Sequence, residues 1–152
     1  MTIGRILFDL VVAGLATAGF GLMFRTKCRS LLPGAVIGGV GYIVYDWIVL
    51  AGGSATVASF AAALLVGVLS ELAARLLKAP TVVFATMGVI PLVPGYGLYR
   101  TMEYIVKADY PNATAVGIET LMIAGAIAAA IGFSNVMARR VLRLQNKHAQ
   151  DA

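Results

Sequence analysis

The chain has 152 residues, of which 60% are hydrophobic and only 12% carry a charged side chain. A soluble domain usually carries about 25% charged residues, and the mean hydropathy here is +0.88. The apolar residues form runs of about 20, the length needed to cross a hydrocarbon core of ~30 Å. The composition therefore excludes an ordinary soluble domain and predicts an integral membrane protein.

In chain order, five apolar segments are long enough to be transmembrane helices. Short linkers rich in Gly, Pro or basic residues separate them, and Thr114 is a candidate cap for the last. No polar stretch is long enough to fold separately, so we expect one all-α transmembrane domain over 1–152, ending in a basic tail at 139–152. The predicted spans are 6–24, 31–51, 55–74, 81–106 and 115–138.

The first span has a signal peptide as its alternative interpretation, because Arg5 precedes an apolar run that contains small residues. Asp9 interrupts that run, and the run continues past the candidate cleavage site to Phe24. Both features favour a transmembrane helix over a cleaved signal.

Basic residues follow the first, third and fifth spans. Because Lys and Arg collect on cytoplasmic flanks, these three sites predict the same side of the membrane. Five crossings satisfy this only with the N-terminus outside and the C-terminus in the cytoplasm; Arg5 alone disagrees. The net charge of +5 therefore indicates topology rather than nucleic-acid binding. The residues are Arg25, Lys27, Arg29, Arg75, Lys78, Arg139, Arg140, Arg143 and Lys147.

Small residues recur at helical spacing on three spans. Membrane helices associate through close backbone approach at such residues, since lipid is as apolar as a leucine side chain. The three stripes predict a tightly packed bundle or a subunit interface, a homo-oligomer included. General Gly and Ala richness is the alternative for any single stripe. The stripes are Gly14, Ala18 and Gly21; Gly34, Gly38 and Gly41; and Gly125, Ala129 and Gly132.

Several acidic residues fall within or near the ends of predicted spans, where a charge usually faces a cavity, a pathway or a partner. Asp46 lies about five residues, or ~8 Å, from the outer end of its span and can face a polar cavity. Asp9 lies near the start of the first helix, where the helix dipole stabilises a carboxylate. Glu71 precedes Arg75 by four residues, and the spacing predicts an ion pair.

The fourth span contains Pro91, Pro94, Gly95 and Gly97 within seven positions. Proline lacks a backbone donor and clashes with the preceding turn, so we predict two half-helices joined near 92–96. Irregular backbone persists in hydrocarbon only where it is buried in protein or lines a wet cavity. The alternative is a proline kink that relieves a packing clash.

The break also suggests an anion site, because free amides at a half-helix N-terminus bind substrate anions in discontinuous transporter helices. The amides of 95–98, Tyr96 included, would point at the break, and Arg100 follows one turn later. A carboxylate suits that arrangement. Neutralisation of Arg100 by Glu103 is the simpler alternative.

Enzymatic chemistry has little support in the sequence. The only histidine is His148, and no Ser/His/Asp, Cys/His or metal-ligand spacing occurs. The lone Cys28 excludes an internal disulfide and a cysteine metal cluster. We expect no enzyme activity, no cofactor and no metal.

The segment APTVVFATMGVIPLVPGYGLYRTM (79–102) resembles the signature of the threonine/serine exporter family, specifically its short C-terminal-half domain. AGFGLMF (18–24) and GAVIGGVGY (34–42) extend the resemblance over about residues 8–138. It implies export of small polar carboxylates across the bacterial inner membrane, threonine and serine in fused members and succinate in two-component ones. The motif residues carried over are Pro91, Pro94, Gly95 and Arg100.

The resemblance covers only the short half, and so it implies a small subunit with a longer complementary partner. The leading hypothesis is therefore a carboxylate exporter subunit driven by the proton gradient, with Asp46 or Asp9 as the coupling group. An acidic residue in a low-dielectric site can titrate nearer neutral pH. A non-transporting membrane scaffold, whose glycine faces hold a partner, is the alternative.

Overall fold

The computed structural model describes the backbone of residues 3–150 and the side chains of residues 6–138. Every regular element in that part of the chain is helical, and residues 151–152 and the side chains of the predicted basic tail lie outside it. The elements are α1 (Ile3–Met23), α2 (Cys28–Leu50), α3 (Ala55–Leu77), α4 (Thr81–Val89), a 3₁₀ turn (Ile90–Leu92), α5 (Gly95–Val106) and α6 (Tyr110–Gln150).

The helices confirm the predicted all-α membrane architecture. By length and composition, α1, α2, α3 and α6 can each cross a membrane, and the bent pair Thr81–Leu92 and Gly95–Val106 can form a fifth crossing. The break in the fourth span is thus confirmed. The orientation of the termini stays a prediction.

The start of α6 differs from the prediction. The helix begins at Tyr110, because Asp109 precedes it and caps its first turn. Asp109 accepts hydrogen bonds from the Asn112 amide at 3.3 Å and from Asn112 Nδ2 at 2.7 Å. The expected cap at Thr114 is wrong, since its hydroxyl donates to the Tyr110 carbonyl from within the helix.

The bundle is organised around α2 and α3. Helix α2 packs against α1, α3 and α4; α3 also packs against α4 and α6, and α5 packs against α6. The buried face of α3 consists almost entirely of small side chains, which let neighbouring backbones approach closely. These residues are Ala58, Ser59, Ala62, Ala63, Val66, Gly67, Ser70 and Ala74.

The predicted small-residue stripes have different outcomes. Gly38 of α2 lies directly against Thr17 of α1, and a Cβ at Gly34 would meet Met87 Cε at 2.7 Å. On α6, by contrast, a Cβ at Gly125 or Gly132 would have nothing within 4 Å. The stripes of α1 and α2 are therefore used inside the bundle, whereas that of α6 faces outward.

Candidate functional site

The break in the fourth span lies at Val93 and Pro94. Helix α4 ends at Val89 and the 3₁₀ turn at Leu92, Val93 is extended (φ −61°, ψ 128°), and α5 begins at Gly95. The two half-helices meet at 51°. Pro91 lies inside the 3₁₀ turn and Pro94 occupies the N-cap of α5. Both prolines thus stand where a missing amide donor is tolerated.

The amides of the first turn of α5 divide into two groups. The Gly95 amide donates to the Val93 carbonyl at 2.7 Å, and the Leu98 amide donates to the Pro94 carbonyl at 3.2 Å. Helix geometry offers no carbonyl to the amides of Tyr96 and Gly97, and no described side chain caps this end. Two of the four predicted amides therefore have no hydrogen-bond acceptor among the described residues.

The glycines of the motif have separate roles. A Cβ at Gly95 would meet nothing within 4 Å, whereas a Cβ at Gly97 would collide with Thr120 Oγ1 of α6. A Cβ at Gly117 would in turn meet Thr101 Cγ2 at 3.2 Å. Gly97 and Gly117 thus form a reciprocal close approach that holds α5 on α6, while Gly95 leaves open space at the break.

Arg100 is partly neutralised within its own helix. Its Nη1 donates to Glu103 Oε2 at 3.1 Å, and its Nη2 donates to the Tyr104 hydroxyl. The guanidinium carbon also lies 4.7 Å from the centre of the Tyr104 ring, a cation–π distance. The pairing with Glu103 that competes with an anion site is therefore present, although 35% of the Arg100 side chain stays exposed.

The same network includes a second cation. Lys107 Nζ donates to Glu103 Oε1 at 2.6 Å, and that hydrogen bond raises the pKa of Lys107 above its ordinary value. Two cations therefore share one carboxylate, and the cluster along α5 keeps an excess positive charge, with Arg100 as its member nearest the break. Such a charge favours an anionic ligand.

The predicted coupling carboxylates lie on other helices. Asp9 is on α1 and Asp46 on α2, both half-buried, and Asp46 Oδ2 is buried. A Cβ at Gly41 would meet Leu92 Cδ1 at 4.0 Å, which places the break at the level of Gly41. Asp46 follows five residues later, ~7.5 Å further along α2. The structure thus brings Pro91–Gly97 and Arg100 together on one span but leaves Asp9 and Asp46 on its neighbours.

The predicted pair of Glu71 and Arg75 is confirmed, with 3.3 Å between Nε and Oε1. Thr81, at the start of α4, adds a hydrogen bond to Glu71 Oε2 at 2.9 Å. The sequence interpretation missed this link between α3 and α4, because ten residues separate the two side chains. It also missed Tyr104, although the i, i+4 spacing from Arg100 predicts a contact between the two side chains on a helix.

Comparison with known proteins shows the family of this chain. Residues 9–137 match the family described as "Threonine/Serine exporter, ThrE". The chain belongs to the threonine/serine exporter family. This exporter-family chain is also 30% identical over 130 residues, 84% of its length, to a "Probable threonine/serine exporter" of Mycobacterium tuberculosis. The aligned part is 24% of that relative, so the chain spans about a quarter of the relative's length. No solved structure matches.

Proposed function

We propose that this chain is a subunit of a proton-coupled exporter of small carboxylate metabolites, such as threonine, serine or succinate, and that it acts with a longer complementary membrane subunit. The observation that carries the proposal is the 51° break in an apolar span, followed by two first-turn amides without a helical acceptor and by a cationic cluster that begins at Arg100. Membership of an exporter family supports transport as the activity.

In this proposal the substrate carboxylate accepts hydrogen bonds from the amides of Tyr96 and Gly97, and Arg100 supplies the countercharge. Pro91 and Pro94 keep the backbone broken, and Gly95 leaves room for the ligand. Arg100 would exchange Glu103 Oε2 for the substrate. Because Lys107 binds the other oxygen of Glu103, that carboxylate stays compensated during the exchange.

Protonation of Asp46 or Asp9 would couple export to the gradient. Both residues lie on the helices beside the fourth span, and Asp46 has a buried carboxylate oxygen. A proton moving through either group would change the charge beside the break without touching the substrate directly.

The complementary subunit would cover α5, none of whose residues is buried within this chain. Tyr96, Tyr99 and Met102 are 75%, 65% and 65% exposed. The length of the Mycobacterium tuberculosis relative supports a second half, since about three quarters of that chain lies outside the aligned part.

The decisive experiment compares Arg100→Gln with Glu103→Gln. The chain is reconstituted in proteoliposomes with its longer partner, and efflux of labelled threonine, serine and succinate is measured. We expect Arg100→Gln to lower efflux about 30-fold or more, the loss of one charged hydrogen bond worth roughly 2 kcal/mol. Glu103→Gln, which frees Arg100, should retain efflux. Unchanged efflux in Arg100→Gln at normal protein levels would refute the anion site.

Coupling is tested with Asp46→Asn and Asp9→Asn under an imposed pH gradient. The coupling residue should lose the response to the gradient but keep exchange of labelled for unlabelled substrate. If both variants respond to the gradient as the wild type does, neither carboxylate couples export.

The outward stripe Gly125, Ala129 and Gly132 favours a scaffold as the second candidate function. A scaffold would hold a transporting partner without touching substrate. Gly125→Leu would then abolish co-purification of the longer subunit, while Arg100→Gln and Asp46→Asn would leave efflux intact. Retained co-purification in Gly125→Leu, together with reduced efflux in Arg100→Gln and Asp46→Asn, supports the transporting subunit instead.

A further inference from the structure

A concave pocket of about 490 Å³ lies where the α1–α2 and α3–α4 loops meet. Four basic residues line it, and no carboxylate does. None of the four takes part in an ion pair among the described side chains. The basic residues are Arg25, Lys27, Arg29 and Lys78. The pocket therefore concentrates uncompensated positive charge in a recess rather than spreading it over a surface.

Polar groups complete the recess. Ser30 is only 6% exposed and lines the pocket, and its hydroxyl makes no hydrogen bond to a described residue. Two helices, α2 after Lys27 and α4 after Pro80, also begin here without a side-chain cap. Their N-terminal amides and dipoles add to the attraction for an anion.

Two of the cations occupy backbone positions that favour glycine. Arg25 (φ 53°) and Lys78 (φ 49°) are left-handed residues just after α1 and α3. Each is followed by a Schellman-type bond, Thr26 to Gly21 and Ala79 to Ala74. A side chain in this conformation costs about 1 kcal/mol or more. Charge is thus present at two positions where the backbone alone would select glycine.

The pocket continues into an apolar groove. Phe24, Thr26 and Val83 line both the basic pocket and a neighbouring groove of about 230 Å³. That groove runs along α4 past Val82 to Met87, into the segment that is long and apolar enough for the membrane. A cationic recess that opens into a hydrophobic groove matches a ligand with an anionic head and an apolar tail.

We propose that this pocket binds an anionic phospholipid, with its phosphate among the four cations and an acyl chain in the groove along α4. Clusters of Lys and Arg beside membrane helices attract anionic lipids, and here the cations converge on one recess. The inference is independent of the proposed transport site, which lies beyond the other end of α4.

The test compares Arg25→Asn/Lys78→Asn with the wild type. Asn tolerates the left-handed conformation, so the variant removes charge without new backbone strain. Ala108→Asn is the matched control, because Ala108 also has a positive φ (57°) but lies in the α5–α6 turn. Native mass spectrometry of the full chain in micelles measures binding of phosphatidylglycerol and phosphatidylcholine. If the first variant does not fold, the double variant Lys27→Gln/Arg29→Gln takes its place in the same binding measurement.

We expect the wild type and Ala108→Asn to prefer phosphatidylglycerol, and Arg25→Asn/Lys78→Asn to bind it about 30-fold more weakly, equivalent to about 2 kcal/mol for two cations. Equal binding of both lipids by the wild type, or an undiminished preference in the variant, would overturn the proposal. Glycerol phosphate and inorganic phosphate are each added as competitors, to distinguish a lipid headgroup from a soluble phosphate as the ligand. Displacement by either at the lipid's own concentration would assign the pocket to a soluble phosphate instead.

Discussion

The two halves of the fourth span differ although one apolar segment encodes both. Helix α4 buries Phe84, Met87 and Gly88 against its neighbours, whereas α5 buries no residue. The first half is part of the bundle's packing. The second half carries the site residues and leaves them accessible. The proline break lets one span do both, because it separates the direction of α5 from that of α4.

Polar contacts show the same contrast. Thr81 at the start of α4 reaches across to Glu71 of α3. The hydrogen bonds of Arg100, Thr101 and Lys107 are all made within α5 and its C-cap. Contacts within a helix do not fix its position, and so the place of α5 depends on its packing against α6.

The largest expected difference between the halves comes from two methionines. Met87 is 1% exposed and Met102 is 65% exposed. Met87→Ala should lower the free energy of unfolding by about 2 kcal/mol or more, because it leaves a cavity beside Gly21 and Gly34. Met102→Ala should change it by less than about 0.5 kcal/mol. Unfolding in mixed micelles, followed by circular dichroism, measures both.

Equal costs for the two methionine variants would mean that α5 is as well packed as α4. The two halves of the span would then not differ in packing, whatever the transport measurements show.

A smaller effect is expected from the two glycines at the start of α5. Gly97→Ala places a Cβ against Thr120 Oγ1, while Gly95→Ala meets nothing within 4 Å. Gly97→Ala should cost about 1–3 kcal/mol through overpacking, and Gly95→Ala should be neutral or slightly stabilising. Hydrogen exchange of the amides of 98–106 should rise in Gly97→Ala alone. Similar exchange in both variants would show that α6 does not hold α5.

The smallest effect is expected from two threonines. Thr81→Val removes the hydrogen bond to Glu71 of α3 and should cost about 1 kcal/mol. Thr101→Val removes only a hydrogen bond to the Gly97 carbonyl of its own helix. Because that carbonyl keeps its helical partner, the substitution should lower the free energy of unfolding by only a few tenths of the cost of Thr81→Val. Thermal unfolding in the same micelles ranks the two. A larger cost for Thr101→Val would show that the hydrogen bond from α4 to α3 contributes less to stability than the bond within α5.

The sequence alone determined the features that depend on local chemistry. Apolar run length gave the spans, and the proline and glycine spacing gave the break near 92–96. The Glu71–Arg75 and Arg100–Glu103 pairs followed from helical spacing. The resemblance in 79–102 indicated the family before any contact was known. Each of these depends on residues within a few turns of one another.

Only the tertiary structure decided which surfaces meet. The glycine stripes of α2 and α6 look alike in sequence, yet a Cβ at Gly38 would collide with Thr17 of α1, whereas a Cβ at Gly125 would meet nothing within 4 Å. The Gly97–Thr120 approach joins residues 23 positions apart, and the basic pocket joins two loops separated by two helices. Small residues permit close approach without choosing the partner, because that choice depends on how all the helices pack together.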